Sequence, residues 1–226
     1  LIAEDSISCP VRSGKKRVEY NPDMLGKMTD EALEEVLKIE AVRILLKHPY
    51  ERFPDGCCLV AAALGSNVTV GDNYVFKRVH IHTPADFSLE KGQYYEWYAM
   101  KIQDLLPPEM VVEADEAITI NGDGTGDDSD SKDDTHKVGN SDVVGSVGLY
   151  GGVGTFSSVG HIGEFRYGCG ADNNRRPLQE LAELWEEDDM MTFQINTVIE
   201  STKDWGTVPG NIRQMLLELW IVWQKR

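Results

Sequence analysis

Little in this chain points to a membrane, a nucleic acid or a disulfide framework. No run of about 18 apolar residues occurs, so no segment is expected to span a bilayer as a helix. Lys and Arg are scarce, 22 against 38 Asp and Glu, for a formal charge of −16. That balance argues against a non-specific nucleic-acid binder, which needs clustered cations. The start, Leu1-Ile2-Ala3-Glu4-Asp5, lacks a basic leader and an apolar core, so no signal peptide is expected. Cys9, Cys57, Cys58 and Cys169 show no metal-site spacing, and the adjacent Cys57 and Cys58 are poorly placed to bridge. Reduced thiols in a cytoplasmic protein are the expectation. A Gly-Lys-Ser/Thr phosphate loop and a Gly-x-Ser-x-Gly elbow are both missing.

What charge there is lies unevenly. Residues 109–142 hold eleven acids against Lys132 and Lys137, which is −9 of the −16. Residues 109–138 therefore read as an acidic linker or mobile loop. Within them, Asn121-Gly122-Asp123-Gly124-Thr125-Gly126-Asp127 partly mimics a calcium loop. Lys132 falls where such a loop needs its bidentate Glu, so calcium binding at 121–134 is a minor reading. Residues 139–175 form a glycine-rich segment, with ten glycines between 139 and 170, suited to a connector with a hairpin.

Elsewhere the pattern is mostly helical. Val18-Glu19-Tyr20 is a short strand before the Asn21-Pro22 turn. Thr29 or Asp30 caps a helix over 30–48, stopped by Pro49. An apolar, buried helix is expected at about 56–66, and 74–82 reads as a strand or a loop. Helices are expected over 88–106, ended by Pro107-Pro108, over 177–203, and from Pro209 onward. The last two form a C-terminal helical pair (176–226), in which Ile212, Met215, Leu216, Leu219, Trp220 and Trp223 make an apolar stripe.

The helix over 30–48 carries the chemistry. At about 100° per residue, Leu33, Val36, Leu37, Glu40 and Ile44 share a stripe, with a carboxylate in its middle. A buried lone carboxylate costs several kcal/mol, roughly, unless paired or metal-bound. Arg43 at i+3 is within reach, and Lys47 at i+7 lies on the same side. A Glu40–Arg43 structural pair is the direct expectation. Glu40 also occupies the general-base position of a zinc-peptidase H-E-x-x-H helix, where His at i and i+4 hold the metal. Here Ile39 and Arg43 stand at the two His positions. Isoleucine cannot ligate, and an always-protonated Arg repels a cation.

Several segments in order resemble a bacterial family, the metallopeptidase-like (zincin-like) domain that precedes a von Willebrand factor A-like domain. They are Cys9-Pro10-Val11-Arg12, Arg17-Val18-Glu19-Tyr20-Asn21-Pro22, and the Glu40 helix closing with His48-Pro49 and Arg52. Ser66-Asn67-Val68-Thr69-Val70-Gly71, Leu89 to Tyr98, and Trp205-Gly206-Thr207-Val208-Pro209-Gly210 follow. The resemblance implies an α+β, predominantly helical fold. It would have a zincin-like core over 1–108, a small sheet or hairpin and a glycine-rich insert. It implies His48 as a third zinc ligand and Glu40 as the general base. As partners it implies an AAA+ ATPase and a downstream von Willebrand-type domain. Where family members show Asp and Asn, this chain has Asn67 and Gly71.

With both helix histidines replaced, the expected function is a non-catalytic interaction or scaffold module without a cofactor. The alternative is a metal-dependent peptidase or hydrolase with an altered zinc site. His48 with His80 and His82, which face one side of an extended segment, would be its three-imidazole ligand set; His136 and His161, in the linker and the glycine-rich segment, are assigned no role.

Overall fold

The computed structural model describes residues 1–106, 111, 165, 166, 176–206 and 208–225. The fold is α+β and predominantly helical, with a three-stranded sheet. The calcium-loop mimic, the acidic linker apart from Val111, and the glycine-rich segment apart from residues 165 and 166 lie outside the described residues. No described helix is long and apolar enough to cross a membrane.

The sheet has the order β1-β3-β2, from β1 (Ile2–Ala3), β2 (Val11–Gly14) and β3 (Arg17–Tyr20). Strands β2 and β3 form a hairpin in which Gly14 faces Arg17. Its two loop residues, Lys15 and Lys16, both have positive φ (45° and 59°), the backbone that matches the twist of a tight hairpin. The hairpin is tied to the C-terminal half by Arg12, which bonds Glu19 at 2.7 Å and also donates to the Glu180 carbonyl and the Glu183 carboxylate.

After the short helix α1 (Pro22–Leu25), Thr29 caps α2 (Asp30–Leu45) by accepting from the Ala32 N–H. The buried stripe of α2 differs from the one read in the sequence. Leu37 is 49% exposed, and the inward residues are Ala32, Val36, Ile39, Glu40, Val42 and Arg43, followed past the helix end by Leu46 and Lys47. Apolar periodicity misjudged the face because charged side chains occupy the core side. The helix also ends before 48: Lys47 turns left-handed (φ 61°), and the His48 N–H reaches back to the Arg43 carbonyl.

Helix α3 (Leu59–Asn73) is the central element and runs seven residues beyond the expected end at 66. Asn67, Thr69 and Gly71 are poor helix formers, but residues 60–70 are all buried, and burial overrides propensity. Residues 74–82 contribute only β4 (Val79–His80), paired in parallel with β5 (Phe165–Arg166). The segment before β4 is held instead by the Glu35 carboxylate, which accepts the N–H groups of Lys77, Arg78 and Val79.

Helix α4 (Tyr95–Leu105) starts later than the expected residue 88. A 3-10 turn (Pro84–Phe87) comes first, followed by left-handed Ser88 and Gly92. Asp72 then fixes the loop by accepting from the Gly92 N–H (2.6 Å) and the Tyr98 hydroxyl (2.8 Å). Helices α3 and α4 meet at Gly65, where an added Cβ would lie 2.6 Å from the Ala99 nitrogen. Gly65→Ala is therefore expected to destabilise by about 1–3 kcal/mol through overpacking, despite alanine's better helix propensity. A urea titration in which Gly65→Ala matches or exceeds the parent would remove this tight crossing from the account.

The expected C-terminal pair is three helices: α5 (Arg176–Ala182), α6 (Asp189–Ser201) and α7 (Gly210–Gln224). The helix expected over 177–203 breaks at 183–188. There Asp188 caps α6 through the Met190 and Met191 N–H groups, and the Glu186 and Asp188 N–H groups bond the carbonyls of Pro49 and Tyr50. A run of acids that reads as helix is thus a turn docked on the segment after α2.

Candidate functional site

The consequence of these placements is a buried polar centre between α2, α3 and β2. One helical turn separates Glu40 from Arg43, which brings their side chains onto the face packed against α3. Glu40 is 3% exposed, and Arg43, His48, Ser66 and Asn67 are fully buried. The Glu40 carboxylate accepts from Arg43 Nη1 at one oxygen and from Ser13 Oγ (2.8 Å) at the other. The guanidinium continues into α3, donating from Nε to Ser66 Oγ (2.8 Å) and from Nη2 to Asn67 Oδ1 (2.6 Å). Ser66 Oγ also meets His48 Nδ1 at 2.8 Å. Arg43 is thus the hub through which Glu40, Ser66 and Asn67 are joined, with His48 one hydroxyl further.

Aromatic rings close the centre. Tyr95, at the start of α4, stacks on His48 with ring centroids 4.1 Å apart. Trp185, carried by the 183–188 turn, meets Tyr95 edge-on (6.3 Å) and lies 5.9 Å from the Arg43 guanidinium carbon. On the far side Lys47 pairs with Glu51 (2.7 Å) and donates to Asn196 of α6 (3.3 Å), which anchors the C-terminal helices to α2. Arg52 pairs with Glu96 at the first turn of α4.

Burial dominates the electrostatics. It holds His48 well below its usual value, helped by the nearby charges of Arg52 and Arg43, so the ring is neutral. Burial also raises the Tyr95 hydroxyl far above its normal range. The Cys9 thiol is pushed up to about 12 by burial and then by the Glu40 charge. The sign for His48 follows from linkage. An unfolded chain takes up a proton near pH 6.5 that the folded one refuses, so stability is full above that pH and falls below it. The loss is about 1.4 kcal/mol per pH unit. His48→Gln is expected to flatten the stability profile between pH 6.5 and 5; an unchanged slope by chemical denaturation would contradict this.

The zinc group implied by the resemblance does not fit these residues. Arg43 and Ile39 stand at the helix ligand positions, and the Glu40 carboxylate that would act on a metal-bound water is taken by Arg43 and Ser13. His48 is at the centre, but His80 and His82 are not brought to it. Their rings lie 6.3 Å apart, with His82 against Phe87, and no described group of three His, Cys, Asp or Glu is arranged to hold a metal ion. Gly71, at the expected Asn position, is packed so closely that a Cβ would sit 2.2 Å from the His82 carbonyl oxygen. Sequence reasoning missed Ser13, Tyr95 and Trp185, which are distant in the chain and carry no pattern of their own. Ser66 and Asn67 were visible only as part of a motif.

Comparison with known proteins finds no matching family model, curated protein or solved structure.

Proposed function

We propose that this chain is a metallopeptidase-like domain whose centre is no longer catalytic and that it works as an interaction or scaffold module. The observation that supports this reading is the position of Arg43. A guanidinium spans Glu40, Ser66 and Asn67, next to His48, so a fixed cation sits where a zincin-like helix would direct its metal. The zincin-like core is part of the same proposal. An exposed apolar surface suits a module of this kind: Met190, Phe193 and Val198 of α6 and Ile221 and Val222 of α7 all face solvent. The resemblance supplies the partner class, an AAA+ ATPase, together with a von Willebrand-type domain downstream.

Metal analysis of the purified chain tests the reading. After equilibration with zinc and gel filtration, substoichiometric metal is expected, unchanged by His48→Ala. One zinc per chain, lost on His48→Ala, would overturn this reading and favour the metal-dependent hydrolase instead.

A further inference from the structure

The last helix carries more apolar surface than the fold covers. Between Met215 and Trp223 of α7 the only polar residue is Glu218. Ile212, Met215 and Leu216 are buried, and Leu219 and Trp220 pack partly against the core. The outward face of a surface helix is ordinarily polar, but here it presents Leu217 (37% exposed), Ile221 (45%) and Val222 (55%). That face has a regular pattern. Gln214, Leu217, Ile221 and Gln224 are all exposed and follow one another at the alternating three- and four-residue spacing of a helix–helix seam. Charges flank the seam and do not enter it: Glu218 and Lys225, two turns apart, lie along one edge, and Arg213 lies along the other.

We propose that α7 pairs with α7 of a second copy of this chain, antiparallel across a two-fold axis. The seam is complementary to itself in that arrangement. With Leu217 set against Ile221 of the second copy, Gln214 meets Gln224 and Glu218 falls beside Lys225, each contact occurring twice by symmetry. Glu218 is already held in position by the Tyr94 hydroxyl and by Gln214. The N-terminal end of each helix also lies beside the C-terminal end of the other, where their dipoles attract. A chain of net charge −16 repels its own copy over most of its surface. Between Gln214 and Gln224 the single carboxylate is Glu218, the one that Lys225 matches, so two copies can approach along this seam. The contact is short. A helix of fifteen residues spans about 22 Å, so the area stays below the roughly 800 Å² per partner of a standard interface, and a dimer with Kd in the micromolar range is expected. The pairing does not depend on the Arg43 centre, so either reading can fail without the other.

Sedimentation velocity of the full chain, from sub-micromolar to near-millimolar concentration, is the test, and a shift from monomer to dimer is expected across that range. Ile221→Asp, at a position exposed in the single chain, should leave the Tm of dilute protein unchanged and weaken dimerisation by about tenfold or more. Glu218→Lys and Lys225→Glu should each weaken it several-fold when present alone. An equimolar mixture of those two variants should recover the parent affinity as a heterodimer, because opposite charges then meet at both edges of the seam. A parallel pair would show no such recovery, since Glu218 and Lys225 do not then face each other. A parent that stays monomeric throughout, a dimer indifferent to Ile221→Asp, or a mixture no tighter than its components overturns the proposal.

Discussion

Arg43→Ala is expected to cost about 3–5 kcal/mol, because it strands a buried carboxylate rather than merely deleting a contact. Glu40 has 3% exposure and would lose the guanidinium that compensates its charge while keeping the Ser13 hydroxyl. The same substitution leaves Ser66 and Asn67 without their donor. For a chain of this size such a loss lowers Tm by about 6–20 °C. Lys27→Ala, an exposed position just before α2, is the control and should move Tm by no more than a degree or two. The diagnostic variant is Glu40→Gln with Arg43→Met, which removes both charges. A buried pair is held in place by mutual compensation more than by net gain, so the double change should recover much of the loss from Arg43→Ala. Equal melting temperatures for Arg43→Ala and Lys27→Ala would falsify the buried-pair account.

The elements of the fold were more legible than their limits. Capping by Thr29 and the apolar run after Cys58 announced α2 and α3, because both signals are local. The end of α3 was not legible. Asn67, Thr69 and Gly71 weaken a helix by propensity, and only the surrounding core keeps it going to Asn73. The same limit explains the inward face of α2. A hydrophobic stripe was sought, but the side chains that face the centre include Glu40, Arg43 and Lys47, so the apolar pattern points about one position off the true face. The break at 183–188 shows the reverse error. Glu186, Glu187 and Asp188 are compatible with a helix, and what stops it there is contact with Pro49 and Tyr50, more than 130 residues away. For the centre itself, the Glu40–Arg43 spacing could be read directly. Ser13, Tyr95 and Trp185 could not, since nothing local ties them to Glu40.

Ile39→His combined with Arg43→His is expected to convert the centre into a zinc site holding one metal per chain. Residues 39 and 43 are both fully buried and lie four apart on α2, the spacing at which two imidazoles share a metal. Ser66 Oγ, 2.8 Å from His48 Nδ1, can accept the hydrogen of that nitrogen, the tautomer that leaves Nε2 as a third ligand. Without metal the variant should be less stable than the parent, because Glu40 has lost its guanidinium. With zinc at one hundred times its Kd, about 2.7 kcal/mol returns, so Tm should climb with added zinc and fall with chelator. Adding His48→Ala in that background should abolish stoichiometric binding. If neither the double variant nor a version carrying Asn67→Asp retains zinc through gel filtration, Arg43 does not stand where a metal once could. The centre would then be an ion-pair core with no metallopeptidase ancestry.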